Sequence, residues 1–180
     1  MKTGNWLGRM LGAAALLSGL PVAAGTSAKA GPLAGWEVAP EANGAGCIAG
    51  QVLPDGTLTS FRQAKSGTEY YMVFSNPGWD SLRPHANQRI PIELLFGTTK
   101  GDQRVHDDDA LIIATANGEE GLIAIWSGDE AKAFRRTVNR ARNVTLIGQG
   151  REIGTYPLTR LPAVLAALDR CVAGLNRKPA

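Results

Sequence analysis

The stretch LIAIWSGDEAKAFRRTV, residues Leu122–Val138, is where the fold is decided, because its hydrophobic period changes midway. As far as Trp126 it is a short apolar run. With Leu111–Thr115 it brackets Asn117-Gly118, the signature of a β-hairpin. From Ser127 onward the spacing is helical. Ala131, Phe134, Val138 and Ala141 fall on one side, and Lys132, Arg135, Arg136 and Arg140 on the other. Ser127 followed three residues later by Glu130 has the form of a capping box. Strand gives way to helix at Ser127.

Upstream of that point the chain reads as strands. Cys47–Val52 and Thr57–Phe61 flank Pro54-Asp55-Gly56, and Glu69–Ser75 ends at Asn76-Pro77-Gly78, both strong turn signals. Ile90, Ile92, Leu94 and Phe96 alternate with Pro91, Glu93 and Leu95, which puts one face inward; Pro91 predicts an edge or a bulge there. Downstream, Val144–Gly148 and Glu152–Tyr156 form a hairpin through Gln149-Gly150. Thr159 can cap a last helix that carries Pro162 in its first turn and Leu161, Val164, Leu165, Leu168, Val172 and Leu175 as its apolar stripe. Trp36–Ala45 reads as a loop and Asn176–Ala180 as a frayed tail. The expected class is α+β: an antiparallel sheet of about 6–8 strands, with two helices of the C-terminal third packed on it.

The first thirty residues read as a cleavable export signal. Lys2 and Arg9 give a cationic start, Met10–Ala24 an apolar run, and Ala28-Lys29-Ala30 a cleavage site, with Val22-Ala23-Ala24 as a second. A spanning helix needs about 20 apolar residues. This run is shorter and is interrupted by Gly12, Gly19 and Pro21, so no lasting membrane anchor is expected. No cysteine follows it and no Arg-Arg pair precedes it, which argues against a lipoprotein or a twin-arginine route. The expected organisation is a signal over 1–30 and one domain over 31–180, placed in the periplasm or outside the cell. About 150 residues suffice for a core that buries roughly two-thirds of the unfolded surface.

Removing the signal changes the electrostatics. The chain has 19 basic and 16 acidic residues, but Lys2, Arg9 and Lys29 leave with the signal and no acid does. The remainder is neutral, with no general attraction for nucleic acid or anionic lipid. Charge is nonetheless segregated. Val105–Glu130 contains acids and no Lys or Arg, whereas Ala131–Ala180 is predominantly basic. Two such blocks are expected to compensate each other across neighbouring elements.

Cys47 and Cys171 are the only cysteines. In an oxidising compartment an even pair reads as a disulfide, whereas a redox pair would sit close together as Cys-x-x-Cys. The site inventory is otherwise thin. His85 and His106 are the only histidines; no zinc spacing, nucleophile elbow or phosphate loop occurs. No catalytic residue, metal or cofactor is therefore assigned. His106-Asp107-Asp108-Asp109 concentrates possible ligands, but lacks the alternation and turning glycine of a calcium loop and reads as a solvated loop before the Leu111 strand. Trp79, after the Asn76-Pro77-Gly78 turn, is either a loop-borne recognition aromatic or a cover for one end of the core. Ser66 and Tyr70, in Ser66-Gly67-x-x-Tyr70, complete the recognition candidates. That motif resembles a short signature of exported bacterial lysozyme inhibitors; a turn entering a strand would use the same letters.

The order of features has its own resemblance. A signal, an early Cys47, Phe74-Ser75-Asn76-Pro77-Gly78-Trp79, a sheet, and Tyr156-Pro157-Leu158 leading to a helix with Cys171 together resemble small exported Gram-negative proteins of the invasion-associated locus B type. The resemblance implies the compartment and the disulfide, and carries no functional residue across. The function expected is binding or interaction at the bacterial envelope, with an unidentified envelope or extracellular protein or ligand as partner. An inhibitor of an exported hydrolase and a hydrolase with a dispersed site are the alternatives.

Overall fold

The computed structural model describes residues 33–114 and 120–177. The segment read as an export signal, the Asn117-Gly118 pair read as a hairpin turn and the end of the segment read as a tail lie outside them. The described chain is dominated by nine strands: β1 (Glu37–Pro40), β2 (Gly46–Val52), β3 (Leu58–Ala64), β4 (Glu69–Asn76), β5 (Arg89–Thr98), β6 (Gly101–Ala114), β7 (Glu120–Ser127), β8 (Ala141–Gly148) and β9 (Arg151–Pro157). Two helices, α1 (Gly128–Val138) and α2 (Leu161–Asn176), and a 3-10 turn at Asp80–His85 complete it. All nine strands form one antiparallel sheet in the order β1-β2-β3-β4-β7-β6-β5-β8-β9, curled into a half-barrel.

This corrects the expected α+β class: the protein is mostly β, a nine-stranded curled sheet rather than a sheet of six to eight strands. Two segments read as loops are strands. β1 is four residues with a proline at its end, which form a strand because β2 offers a ladder, from Glu37 opposite Gly50 to Pro40 opposite Cys47. β6 runs through the acidic stretch, because β5 pairs with it from Thr98 opposite Gly101 onward. In both, pairing with a distant partner overrides local preference.

Other local signals are met. Gln149 and Gly150 both have positive φ, 51° and 72°, as a two-residue type I′ hairpin turn requires, and join β8 to β9. Pro91 lies in β5, which is central, and the register with β6 shifts between Ile90 and Ile92. Proline has no N–H to give the ladder, so the neighbouring strand bulges past it. The capping box is not formed: Ser127 is the N-cap of α1 but makes no side-chain cap bond. Pro162 sits in the first turn of α2, as read, with Arg160 rather than Thr159 at the cap position.

The alternation along the strands supplies the core. Cys47 and Ala49 on β2, Phe61 on β3, Met72 and Phe74 on β4, Leu122 and Ala124 on β7, Leu94 and Phe96 on β5, and Val144 and Leu146 on β8 are all fully buried. Helix α2 lies against β1, β2 and β3, and α1 against β4 and β7. From α1, Phe134 stacks on Trp126 with centroids 3.7 Å apart and meets Phe96 edge-on at 6.0 Å. From α2, Leu161, Val164, Leu165 and Leu168 are buried, the stripe read from sequence.

Cys47 and Cys171 stand with their sulfurs at bonding distance, 1.99 Å, and their Cα atoms 6.1 Å apart, joining β2 to α2. Closing a loop of this length restricts the unfolded chain, by about 4–5 kcal/mol in the chain-entropy account. Reduction, or replacement of both cysteines by alanine, is expected to lower the unfolding free energy by about 2–5 kcal/mol. Urea titrations with and without reductant measure it, and unchanged stability would refute the tether.

The chain's three tyrosines, Tyr70, Tyr71 and Tyr156, all have raised pKa values. Burial is the main cause in each; Arg135 beside Tyr70 and Arg62 beside Tyr71 pull the other way. The folded state thus holds these phenolic protons more tightly than the unfolded one. Stability present in full below about pH 10 falls as pH rises through that value toward the folded-state pKa values. Spectrophotometric titration of the phenolates should place all three above free tyrosine, with unfolding setting in over the same range.

Candidate functional site

The three recognition candidates do not form one site. Ser66 is exposed in the β3–β4 turn, where its hydroxyl lies 2.9 Å from that of Thr68 and accepts the Thr68 N–H. Tyr70 is buried, with the Arg135 guanidinium 5.8 Å from its ring centre and Arg135 bonded in turn to Asp169 at 2.6 Å. Trp79 is buried at the far end of β4, packed edge-on against Tyr156 at 6.2 Å. The strand from Tyr70 to Asn76 separates the two ends by about 20 Å. Ser66 is thus a turn residue, and Tyr70 and Trp79 face the core.

The acidic run explains more. Only the last four residues of β6 pair with β7, from Leu111 opposite Ile123 to Ala114 opposite Glu120. Before Leu111 the two strands part, and β6 keeps only β5 as a neighbour. An unpaired strand edge invites other strands, and charged side chains are a common protection. The run Asp107-Asp108-Asp109 stands there. Asp107 accepts the N–H of Ile125 at 3.1 Å and that of Asp109 at 2.9 Å, taking the place of ladder bonds that β6 no longer makes. Asp109, beside the bulge opposite Pro91, pairs with Arg89. Glu93 on β5 bonds Arg104 at 2.8 Å and lies 3.8 Å from His106. Among the described residues no group of three His, Cys, Asp or Glu is arranged to hold a metal ion.

Where β6 leaves β7, a cleft of about 500 Å³ opens between β6 and α1. Arg104, His106, Asp107 and Asp108 are among the residues that line it from β6, with Trp126 from β7 and Glu130 from α1. The indole of Trp126 is buried and stacked on Phe134, and its Nε1–H has no acceptor among the described residues. A buried donor without a partner costs about 1–3 kcal/mol. The cleft therefore combines an unpaired strand edge, an aromatic floor, and the Asp107, Asp108 and Glu130 carboxylates beside an Arg104 that is paired with Glu93. Sequence reading placed Glu130 in a helix cap and Trp126 in a strand; their meeting with β6 depends on where the sheet splits.

Two other surfaces separate from it. The outer face of β3, β4, β7 and β6 carries Leu58, Val73, Ile123, Ile125, Leu111 and Ile113, all half-buried. Four strands at about 4.8 Å spacing make this patch only about 200 Å² in plan, smaller than the largest apolar patch of an ordinary monomer. The charge blocks, for their part, mostly find partners elsewhere. Glu120 bonds Arg83 at 3.0 Å and Asp109 bonds Arg89, both outside the basic block, and among the described residues only Lys132 with Asp129 joins the two blocks directly. Comparison of the chain with family models, curated proteins and solved structures yields no match.

Replacing Asp107 by alanine should leave the Ile125 N–H without its acceptor and destabilise the protein by about 1–3 kcal/mol. Asp107→Asn, which keeps a carbonyl oxygen there, should cost less. Denaturant midpoints compare the two, and equal losses would show that charge rather than the hydrogen bond matters.

Proposed function

We propose that this chain is an exported binding protein of the bacterial envelope, without a catalytic site of its own, that receives an extended segment of a partner protein in the cleft between β6 and α1. The observation that carries the reading is the parting of β6 from β7. It leaves a strand edge beside a cleft lined by the stacked Trp126 and Phe134. An extended segment can satisfy such an edge through its main chain while a side chain enters a neighbouring pocket. The Asp108 and Glu130 carboxylates favour a segment with a basic residue, and the Trp126–Phe134 stack an apolar one beside it. The charges along β6 restrict which strands can add, as selective recognition requires.

The inhibitor reading rested on Ser66 to Tyr70, and it gains no support from a serine held by Thr68 and a tyrosine in the core. Export and the envelope setting rest on the sequence features of residues 1–30 and on the Cys47–Cys171 pair.

A photo-crosslinking amino acid at Val105, which lines the cleft, tests the proposal in a Gram-negative host. The expected outcome is one or a few discrete protein adducts, reduced several-fold by Ala133→Glu, which fills the cleft. The same probe at Leu58 on the outer face should not give them. No adduct at Val105, or the same adducts at both positions, would overturn the reading.

A further inference from the structure

A second cleft, of about 430 Å³, opens past the C-terminal end of α1, where the chain turns into β8 and where β9 passes into α2. Three arginines line it: Arg140 just after α1, Arg142 at the start of β8 and Arg160 before α2. No carboxylate lines it, and none of the three arginines has an ion-pair partner among the described residues. Elsewhere the described arginines are mostly engaged: Arg62 with Glu41, Arg83 with Asp80 and Glu120, Arg89 with Asp109, Arg104 with Glu93 and Arg135 with Asp169. Three of the seven arginines of the basic block that have no ion pair among the described residues thus share one concavity, the others being Arg136, Arg151, Arg170 and Arg177.

The backbone under these side chains is fixed. Leu158, itself buried, donates its N–H to the Arg142 carbonyl at 2.8 Å. The buried indole of Trp36 donates to the Thr159 carbonyl at 3.0 Å, holding the turn that carries Arg160. Arg140 N–H bonds back to the Thr137 carbonyl at 3.1 Å. The rest of the lining is mixed, polar from Asn139 and Thr159 and apolar from Ala141, Leu158 and Pro162, with no aromatic ring on which a base could stack.

We propose that this cleft binds a ligand bearing a phosphate group with more than one negative charge, such as a diphosphate or a phosphorylated headgroup, through Arg140, Arg142 and Arg160. Guanidinium groups suit phosphate because their planar fork gives two parallel N–H···O bonds, and three of them match the charge of a diphosphate. The chain is neutral overall once the signal is removed, so the attraction is local to this cleft. The site is distinct from the β6 cleft and stands or falls independently of it.

The backbone at Arg160 supplies an unusual control. Its φ of 60° and ψ of 20° are left-handed, a conformation glycine adopts without cost and arginine does not. Arg160→Gly should therefore hold or raise the thermal midpoint, by up to about 2–4 °C, while weakening the ligand. A residue kept only for folding would not behave in that way.

Isothermal titration of the oxidised protein with sodium pyrophosphate, at about 0.15 M ionic strength, is the direct measurement. Saturable one-to-one binding is expected, weakened about tenfold or more by Arg142→Ala or Arg160→Gly, and unaffected by Arg136→Ala, an exposed arginine outside the cleft. Sedimentation with vesicles containing phosphatidic acid, whose headgroup is a phosphomonoester, against phosphatidylcholine vesicles, separates the two sources. Arginine-dependent binding to pyrophosphate supports a soluble phosphate ligand, and arginine-dependent binding to vesicles alone supports a lipid headgroup. Binding that is insensitive to Arg142→Ala and Arg160→Gly, preference for a single-stranded oligonucleotide over both probes, or no binding to either probe would overturn the proposal.

Discussion

A curled sheet has a concave face that must be kept from water, and filling that face is the constraint on which the rest of this structure depends. Two helices do it. Helix α2 covers β1, β2 and β3 and is held there by Cys171, while α1 lies on β4 and β7 and inserts Phe134 between Trp126 and Phe96. The helices must enter and leave along the rim of the sheet, and the clefts lie at those places. One runs along α1 where β6 departs from β7; the other is at the turn between α1 and β8. Both functional proposals are therefore by-products of how the core is closed.

The same constraint sorts the ionic groups. Glu41, 4% exposed, is bonded to Arg62 at 2.5 Å, and the Arg62 guanidinium lies over Tyr71 at 4.4 Å. Removing either partner would leave a buried charge uncompensated, a loss of about 3–5 kcal/mol. Glu120 is similarly buried and takes Arg83. These pairs stabilise strand ends and turns. On β6 the acids have another task, protecting an edge, and one of them substitutes for the missing ladder at Ile125. The arginines left over are those with no carboxylate near enough in the closed fold.

The relation between sequence and structure differs from feature to feature. The two helices and their buried stripes were legible because a helix presents its apolar residues at a fixed local period. Gln149-Gly150 was legible because few residue pairs tolerate two positive φ values in succession. Pro91 announced a bulge because its missing N–H is a local fact, although the strand that carries it is central and not an edge. The fold class is least legible at β1 and along β6, because four residues ending in proline are too short to show a period and the acidic run has no apolar alternation. Trp79 and Tyr70 were ambiguous for a related reason: an aromatic after a turn has the same letters whether it covers the core or faces solvent.

The sequence by itself determined the parity of the cysteines, the place where strand period becomes helical period, the turns, and the inward face of most strands. Each of these depends on residues close together along the chain. Tertiary structure alone decided that β6 extends through its aspartates and parts from β7, that Trp126 and Glu130 line one cleft, and that Arg140, Arg142 and Arg160 share another without a carboxylate in its lining. Strand pairing and charge compensation join residues far apart in the chain. Their outcome depends on which partners the closing of the core brings within a few ångströms, and no local pattern records that.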